Sequence, residues 1–262
     1  MKLSISNIGW SFERDKTIYD YMRKLGFTGL EIAPTRILPD NPYEKLIAAK
    51  KWSDCLNQGY GFVIPSMQSI WFGRTENLFG STEEKTSLIE YTQKAIDFAE
   101  TIGCKNLVFG CPKNRSIPDG VESKEAYPFF KKLGEYAAEH NCVIAIEANP
   151  PIYNTNFINT TKQALDFISR IDASGLGLNL DVGAMVYSRE GVSVLYGYEK
   201  YINHVHISEP YLKPIEKRAI HKELASYLKE VNYKGYVSIE VGKQEDTESL
   251  FSMMDYVCSV FE

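Results

Sequence analysis

The chain has 262 residues, a net charge of −5, 44% hydrophobic residues and 24% charged ones. That is the composition of an ordinary folded protein, long enough for one α/β domain of the barrel size, about 250 residues. No apolar run approaches the length of a membrane span. An acidic balance without a basic cluster argues against nucleic acid as a partner, because phosphate neutralisation dominates such binding. Cys55, Cys104, Cys111, Cys142 and Cys258 are scattered and odd in number, which points to reduced thiols rather than a disulfide framework or a thiolate zinc site. The opening MKLSISNIGWSF lacks the continuous apolar stretch of a signal peptide and reads as a strand, so a cytoplasmic protein is expected.

From the N-terminus, short apolar runs rich in β-branched residues alternate with longer amphipathic stretches, the pattern of repeated βα units. The predicted strands are KLSISNIGW, GLEIAP, FVIPSMQSI, NLVFGC, CVIAIEANP, LGLNLDVG, INHVHIS and GYVSIEVG. Their middles are apolar at nearly every position, as strands covered on both faces require. Between the third and fourth, STEEKTSLIEYTQKAIDFAETIG predicts a helix opened by a capping box of Ser81 and Glu84 and stopped by Gly103. After Asp181, GAMVYSREGVSVLYGYEKY predicts only a short or irregular helix. The final DTESLFSMMDYVCSVF sets Leu250, Met253, Met254, Val257 and Phe261 on one face, which should pack on the outside of the sheet. No linker or composition shift interrupts the series, so residues 1–262 are read as one domain.

Periodicity does not separate an open sheet from a closed barrel, but the strand ends are informative. In order they read Trp10, Glu31, Gln68, Cys111, Glu147, Asp181, His206 and Glu240. In a closed barrel these C-terminal ends converge on one mouth, where catalytic groups sit. The last four can all ligate a metal, and each is about one βα unit from the next. Three carboxylates at the ends of apolar strands repel one another and lose hydration unless a cation or proton neutralises them. Three oxygen donors and one imidazole form a fairly hard site, favouring one divalent ion, Mn²⁺, Mg²⁺ or Co²⁺, with Zn²⁺ or Fe²⁺ as further candidates. His206 is preferred to His204 as the ligand, since residues two apart point the same way and His204 lies one layer deeper. Trp10, Glu31, Gln68, Asn149, Glu209, Lys213 and His221 lie in or beside the same loops and are the candidate substrate contacts. Lys113, Arg115 and Arg74 are candidates for an anionic group on the substrate.

The runs IAIEANP, LNLDVGA, HVHISEP and VSIEVGK resemble the four ligand strands of the sugar phosphate isomerase/epimerase family, the xylose isomerase-like barrels, over nearly the whole chain. The resemblance implies a single (β/α)₈ TIM barrel with its active site at the C-terminal ends of the strands. It also implies one metal held by Glu147, Asp181, His206 and Glu240. In the family's ketose epimerases the two glutamates double as acid and base, which gives those roles to Glu147 and Glu240. Those epimerases usually carry a His three residues after the aspartate and an Arg in the loop after the metal histidine. Here the positions read Ala184 and Leu212, with Lys213 beside the second, so the resemblance stops short of a ketose 3-epimerase.

Such a site suits proton transfer next to a carbonyl, because a metal spanning the carbonyl and its neighbouring hydroxyl stabilises the developing enediolate charge. One glutamate removes the proton and a second returns it. The expected function is a divalent-metal-dependent isomerase or epimerase of a small sugar, sugar phosphate or related ketose or polyol. The alternatives are an inosose dehydratase-like lyase and a non-catalytic sugar-binding barrel. The expected partner is a small carbohydrate, with no nucleic acid and no membrane, and the reading leaves room for a homo-oligomer.

Overall fold

The computed structural model describes residues 1–262. Eight short strands form: β1 (Lys2–Ser6), β2 (Gly29–Glu31), β3 (Ser66–Met67), β4 (Asn106–Phe109), β5 (Val143–Glu147), β6 (Leu176–Asp181), β7 (Ile202–Ile207) and β8 (Tyr236–Ile239). All pair in parallel, in the order β2-β1-β8-β7-β6-β5-β4-β3. The remaining gap is spanned by the bridges Gly29↔Val63 and Ile32↔Met67. There the N–H groups of Leu30 and Gln68 donate to Val63 O at 3.0 Å and Ile32 O at 2.9 Å. The sheet thus closes into a (β/α)₈ barrel, as the eight predicted units imply.

Each strand is followed by a helix: α1 (Asp15–Lys24), α2 (Leu46–Tyr60), α3 (Thr82–Ile102), α4 (Tyr127–Glu139), α5 (Thr161–Ile171), α6 (Val182–Ser188), α7 (Ala219–Glu230) and α8 (Thr247–Phe261). Helix α3 carries the expected capping box, and Gly103 ends it at φ 74°. The irregular segment after Asp181 is the seven-residue α6 followed by two 3₁₀ turns. Leu250, Met253, Met254, Val257 and Phe261 of α8 are buried. No helix is long and apolar enough to cross a membrane.

Two predicted strands are shorter than the apolar pattern suggests, each for a local reason. Pro65 has no N–H for a ladder, so the run from Phe62 contributes an isolated bridge at Val63 and then only Ser66–Met67. The first strand stops at Ser6, because Asn7–Gly9 turn into a 3₁₀ helix. That turn carries Trp10 away from the strand line.

Residues alternate along the strands more strictly than the sequence pattern indicates. Leu3, Ile5, Leu107, Phe109, Ile144, Ile146, Leu178, Leu180, Val205, Ile207, Val237 and Ile239 belong to the continuous apolar core shared with the helices. Between them stand Ser4, Ser6, Glu31, Asn106, Glu147, Asn179, His204, His206 and Ser238, all buried. Several of these polar side chains are hydrogen-bonded within the barrel: Asn106 Nδ2 donates to Ser66 Oγ at 2.9 Å and Gln68 Nε2 to Ser6 Oγ at 2.6 Å, while Ser4 Oγ and Ser238 Oγ have no partner. The apolar layer lies between sheet and helices, and the barrel interior is a polar column.

The β6–β7 ladder contains one irregularity. Leu178 is opposite Ile202, yet Asn179 is opposite His204 and Asp181 opposite His206, so β7 has Asn203 as an extra residue. A one-residue slip exchanges the two faces of a strand; the bulge sets both histidines level with Asn179 and Asp181. Where α4 packs beside the start of β6 there is no room to spare: a Cβ on Gly175 would stand 2.0 Å from Gly134 O and 2.7 Å from Ala138 N in α4. Gly175→Ala is therefore expected to lower unfolding free energy by about 1–3 kcal/mol. Urea denaturation checks this, and an unchanged midpoint would contradict the close approach.

Candidate active site

Four ligating atoms meet at the C-terminal ends of β5 to β8. One atom each from Glu147, Asp181, His206 and Glu240 lies within 4.8 Å of all the others, a group able to hold a metal ion. His206 is central. Its Nδ1 is 3.1 Å from Glu147 Oε1 and 3.2 Å from Glu240 Oε2, while its Nε2 is 3.0 Å from Glu31 Oε2. The same Glu31 oxygen accepts from His204 Nε2 at 2.8 Å. Glu31, at the end of β2, thus fixes both imidazoles from behind and leaves Nδ1 of His206 toward the carboxylates.

The other members are oriented by neighbours on adjacent strands. Glu147 Oε1 accepts from Asn179 Nδ2 at 2.7 Å, and its Oε2 from Asn149 Nδ2 at 3.1 Å. Asp181 caps α6, accepting from Ala184 N–H at 2.6 Å, and its second oxygen takes a short hydrogen bond from Ser208 Oγ. Gly110 makes room for Glu147: a Cβ there would lie 2.7 Å from Oε2. Arg115 is wholly buried. Its Nη1 donates to Glu147 O at 3.0 Å and its Nη2 to Ile158 O at 3.3 Å, which ties the end of β5 to the loop after it.

Electrostatics match this crowding. Burial pushes the Asp181 carboxyl up to about 8, and the charges of Glu147 and Glu240 add to the rise. Glu240 is also raised, by burial first, against the opposing pull of His206. For His206 burial acts downward, but the charges of Glu31 and Glu240 outweigh it and hold the imidazole well above its ordinary value. Burial likewise opposes ionisation of Glu31, yet the charge of His206 and the bonds from both histidines keep it well below the carboxylate range. His204 is lowered by burial.

A cavity of about 630 Å³ opens over this group. Glu147, Asp181 and Glu240 line it with Gln68, Asn149, Tyr153, Ser208, Glu209 and Leu212. Among the candidate substrate contacts, Gln68 and Asn149 face the cavity, and Asn149 Oδ1 is buried without a partner. Gln68 Nε2 is also bound to Ser6 and, at 3.2 Å, to Glu31. Glu209 lines the cavity but is held by Arg218 in two bonds of 2.7 Å. Trp10, Glu31, Lys213 and His221 are not among the lining residues. Trp10 donates to Asp15 at 2.7 Å, Lys213 lies over the Tyr211 ring, and His221 Nδ1 meets Tyr256 Oη at 3.0 Å. Lys113 and Arg74 line the cavity, whereas Arg115 is committed to backbone carbonyls below it. Sequence reasoning missed Asn179, Ser208 and the bracing role of Arg115. The signal for the first two was their alternation with ligand residues on β6 and β7.

A closed parallel barrel with an acidic, imidazole-centred pocket at the C-terminal ends of its strands defines the class. The family model described as xylose isomerase-like TIM barrel matches residues 19–255, and the chain belongs to that family. Among solved structures, D-psicose 3-epimerase from Clostridium cellulolyticum, determined with D-tagatose, is 18% identical. It superposes with a TM-score of 0.81 over 100% of both chains. The 3-keto-D-glucoside 4-epimerase YcjR from E. coli is also 18% identical, with a TM-score of 0.79 over 99% of each. The IOLI protein with a bound zinc atom is 17% identical, with a TM-score of 0.74 over 100% of both. No curated protein sequence matches at a significant level.

The protonation pattern dictates how the metal-free protein responds to pH. Asp181 and His206 bind protons more tightly folded than unfolded, so stability falls as pH rises past their unfolded values. His204 acts in the opposite sense only below its ordinary 6.5. The net loss should therefore begin near pH 6.5 and continue through about 8, the value to which Asp181 is pushed, with His206 contributing throughout. Chemical denaturation across this window should show a falling midpoint; a flat or rising one would contradict the assignment.

Proposed function

We propose that the protein is a divalent-metal-dependent isomerase or epimerase of a small sugar or related ketose, working by proton transfer at a carbon next to a carbonyl. The observation that carries this reading is the meeting of Glu147, Asp181, His206 and Glu240 under one cavity. Likeness in fold to the two sugar epimerases supports a carbohydrate substrate, and the zinc-bound relative supports a metal.

The residues present fit a divalent cation. Ligands at about 2.0–2.2 Å from one ion lie within roughly 4.4 Å of each other, close to the observed grouping of donor atoms. Burial raises Asp181 and Glu240, and a cation beside them would favour their charged forms. Glu147, Asp181, Glu240 and Nδ1 of His206 would hold the ion, with Glu31 orienting the imbalanced side of the ring through Nε2. When bound, the ion supplies a positive charge that polarises substrate oxygens. The second grouping, Glu31 with His204 and His206, is internally hydrogen-bonded and wholly buried, and serves as the support.

Proton transfer falls to Glu147 and Glu240, which reach the cavity from neighbouring sides of His206. Two N–H donors, from Asn179 and Asn149, fix the direction of the Glu147 carboxyl, while the one neighbour of Glu240 in the group is His206, at Oε2. One glutamate takes the substrate proton and the other returns it from the opposite side, or the first returns it to the neighbouring carbon. The aromatic wall of Trp71, Phe72 and Tyr153 limits water around the reacting carbon.

The test is solvent exchange. Metal-loaded protein in deuterium oxide should incorporate deuterium into a ketose from a panel of free ketohexoses, their phosphates and 3-keto-D-glucosides. Glu147→Gln and Glu240→Gln should each slow exchange by about 10²-fold or more. Failure of every sugar that binds to exchange hydrogen would overturn the reading, and a product lighter by one water would reassign the protein to the lyases.

A further inference from the structure

Tyr153 stands in the wall of the cavity with its hydroxyl only half used. The backbone N–H of Tyr211 donates to Tyr153 Oη at 2.9 Å. The oxygen therefore acts as acceptor there, and the phenolic proton has no acceptor in the protein. A phenol is both donor and acceptor, so a free donor faces a space lined by Glu147, Asp181, Asn149 and Glu240. The ring is held in place: Tyr153 ends the turn Pro151–Tyr153, entered through Pro150, and its N–H donates to Pro150 O at 3.0 Å. Burial, then the charge of Asp181 and lesser effects of Glu240 and Glu147, push the phenol up to about 12, so it keeps its proton at neutral pH.

The segment that meets this hydroxyl is strained. Tyr211 and Leu212 have φ of 64° and 52°, a conformation that costs most residues energy and is rarely adopted twice in succession. Three hydrogen bonds hold it: Tyr211 N–H to Tyr153, Leu212 N–H to Glu209 O at 2.9 Å, and Gly242 N–H to Leu212 O at 2.8 Å. Such strain persists where the surroundings over-determine it, and it clusters at ligand sites. Here it aims one N–H at the tyrosine oxygen, which leaves the phenolic proton a narrow range of directions.

Resting on the function proposed above, we infer that Tyr153 is a further catalytic residue, donating a hydrogen bond from its hydroxyl to the substrate's carbonyl oxygen, next to the carbon that exchanges its proton. No bond to the phenolic proton breaks; the donor stabilises negative charge as it grows on that oxygen. The matching polyol, which has no carbonyl oxygen, gains nothing from this donor.

Tyr153→Phe keeps the ring and removes the donor. Its kcat/KM in solvent exchange should fall on the order of 10²-fold, chiefly in kcat, as for loss of one transition-state donor. Calorimetric affinity for Mn²⁺ should stay within about two-fold of wild type, because no metal-binding group is touched. Affinity for the matching polyol should stay unchanged in the variant, whereas a purely structural role would weaken it as well. Exchange within about three-fold of wild type, or an equal loss of affinity for the polyol, overturns the assignment of Tyr153 alone. Absence of exchange by the wild-type protein on every bound sugar overturns the proposed function and this assignment together.

Discussion

The structure turns on the contact between His206 and the carboxyls around it. Glu147, Asp181 and Glu240 are brought together with almost no water, and Glu31 stands behind the ring. Burial and like charge both favour protonation, and burial leads in raising Asp181 and Glu240. The fold resists separation in several places at once. Asn203 bulges so that β6 and β7 align their polar residues, Arg115 pins the end of β5, and Ser208 and the α6 N–H hold Asp181. Without bound metal the group relies on protons and on His206 for neutrality; a divalent ion would replace both.

This arrangement depends on a division of labour between the two faces of the sheet. The outward residues of the strands and the inward faces of the helices form one apolar layer. Burial of that layer supplies the stabilisation, at about 25 cal/mol per Å² removed from water, that lets the barrel interior be polar. The column from Ser4, Ser66 and Asn106 through Asn179 and His204 to the four carboxyls is almost fully hydrogen-bonded, and Ser4 Oγ and Asn179 Oδ1 are among its few atoms without partners. A polar interior also gives the ligand side chains fixed neighbours, which an apolar one would lack.

Much of this was legible in the sequence because it depends on strand period and strand order. Four ligating residue types, each about one βα unit from the next, end four consecutive strands, and closure brings their atoms together. Trp10 and Lys213 lie on turns, whose geometry is not written in the hydrophobic pattern, and His221 lies in the first turn of α7, where it meets Tyr256. The 3₁₀ turn at Asn7–Gly9 rotates Trp10 toward Asp15, and the left-handed pair Tyr211–Leu212 precedes Lys213. Glu31 ends its strand as expected, but the reach of two imidazoles across the barrel makes it a support for His204 and His206. Pro65 shortened β3 through one missing N–H. The role of Tyr153 depends on a contact from a distant loop, the Tyr211 N–H that occupies its oxygen as an acceptor.

The central claim is that this carboxylate–imidazole group is completed by one divalent cation. Electron paramagnetic resonance of Mn²⁺ titrated into the purified, chelator-treated protein reads this directly, since the signal of free Mn²⁺ is lost on binding. The account predicts disappearance of that signal up to one equivalent, and its return from the first addition in His206→Ala. A free-ion signal rising from the first addition in the wild-type protein, unchanged when Zn²⁺ or Co²⁺ is tested by calorimetry, would contradict it.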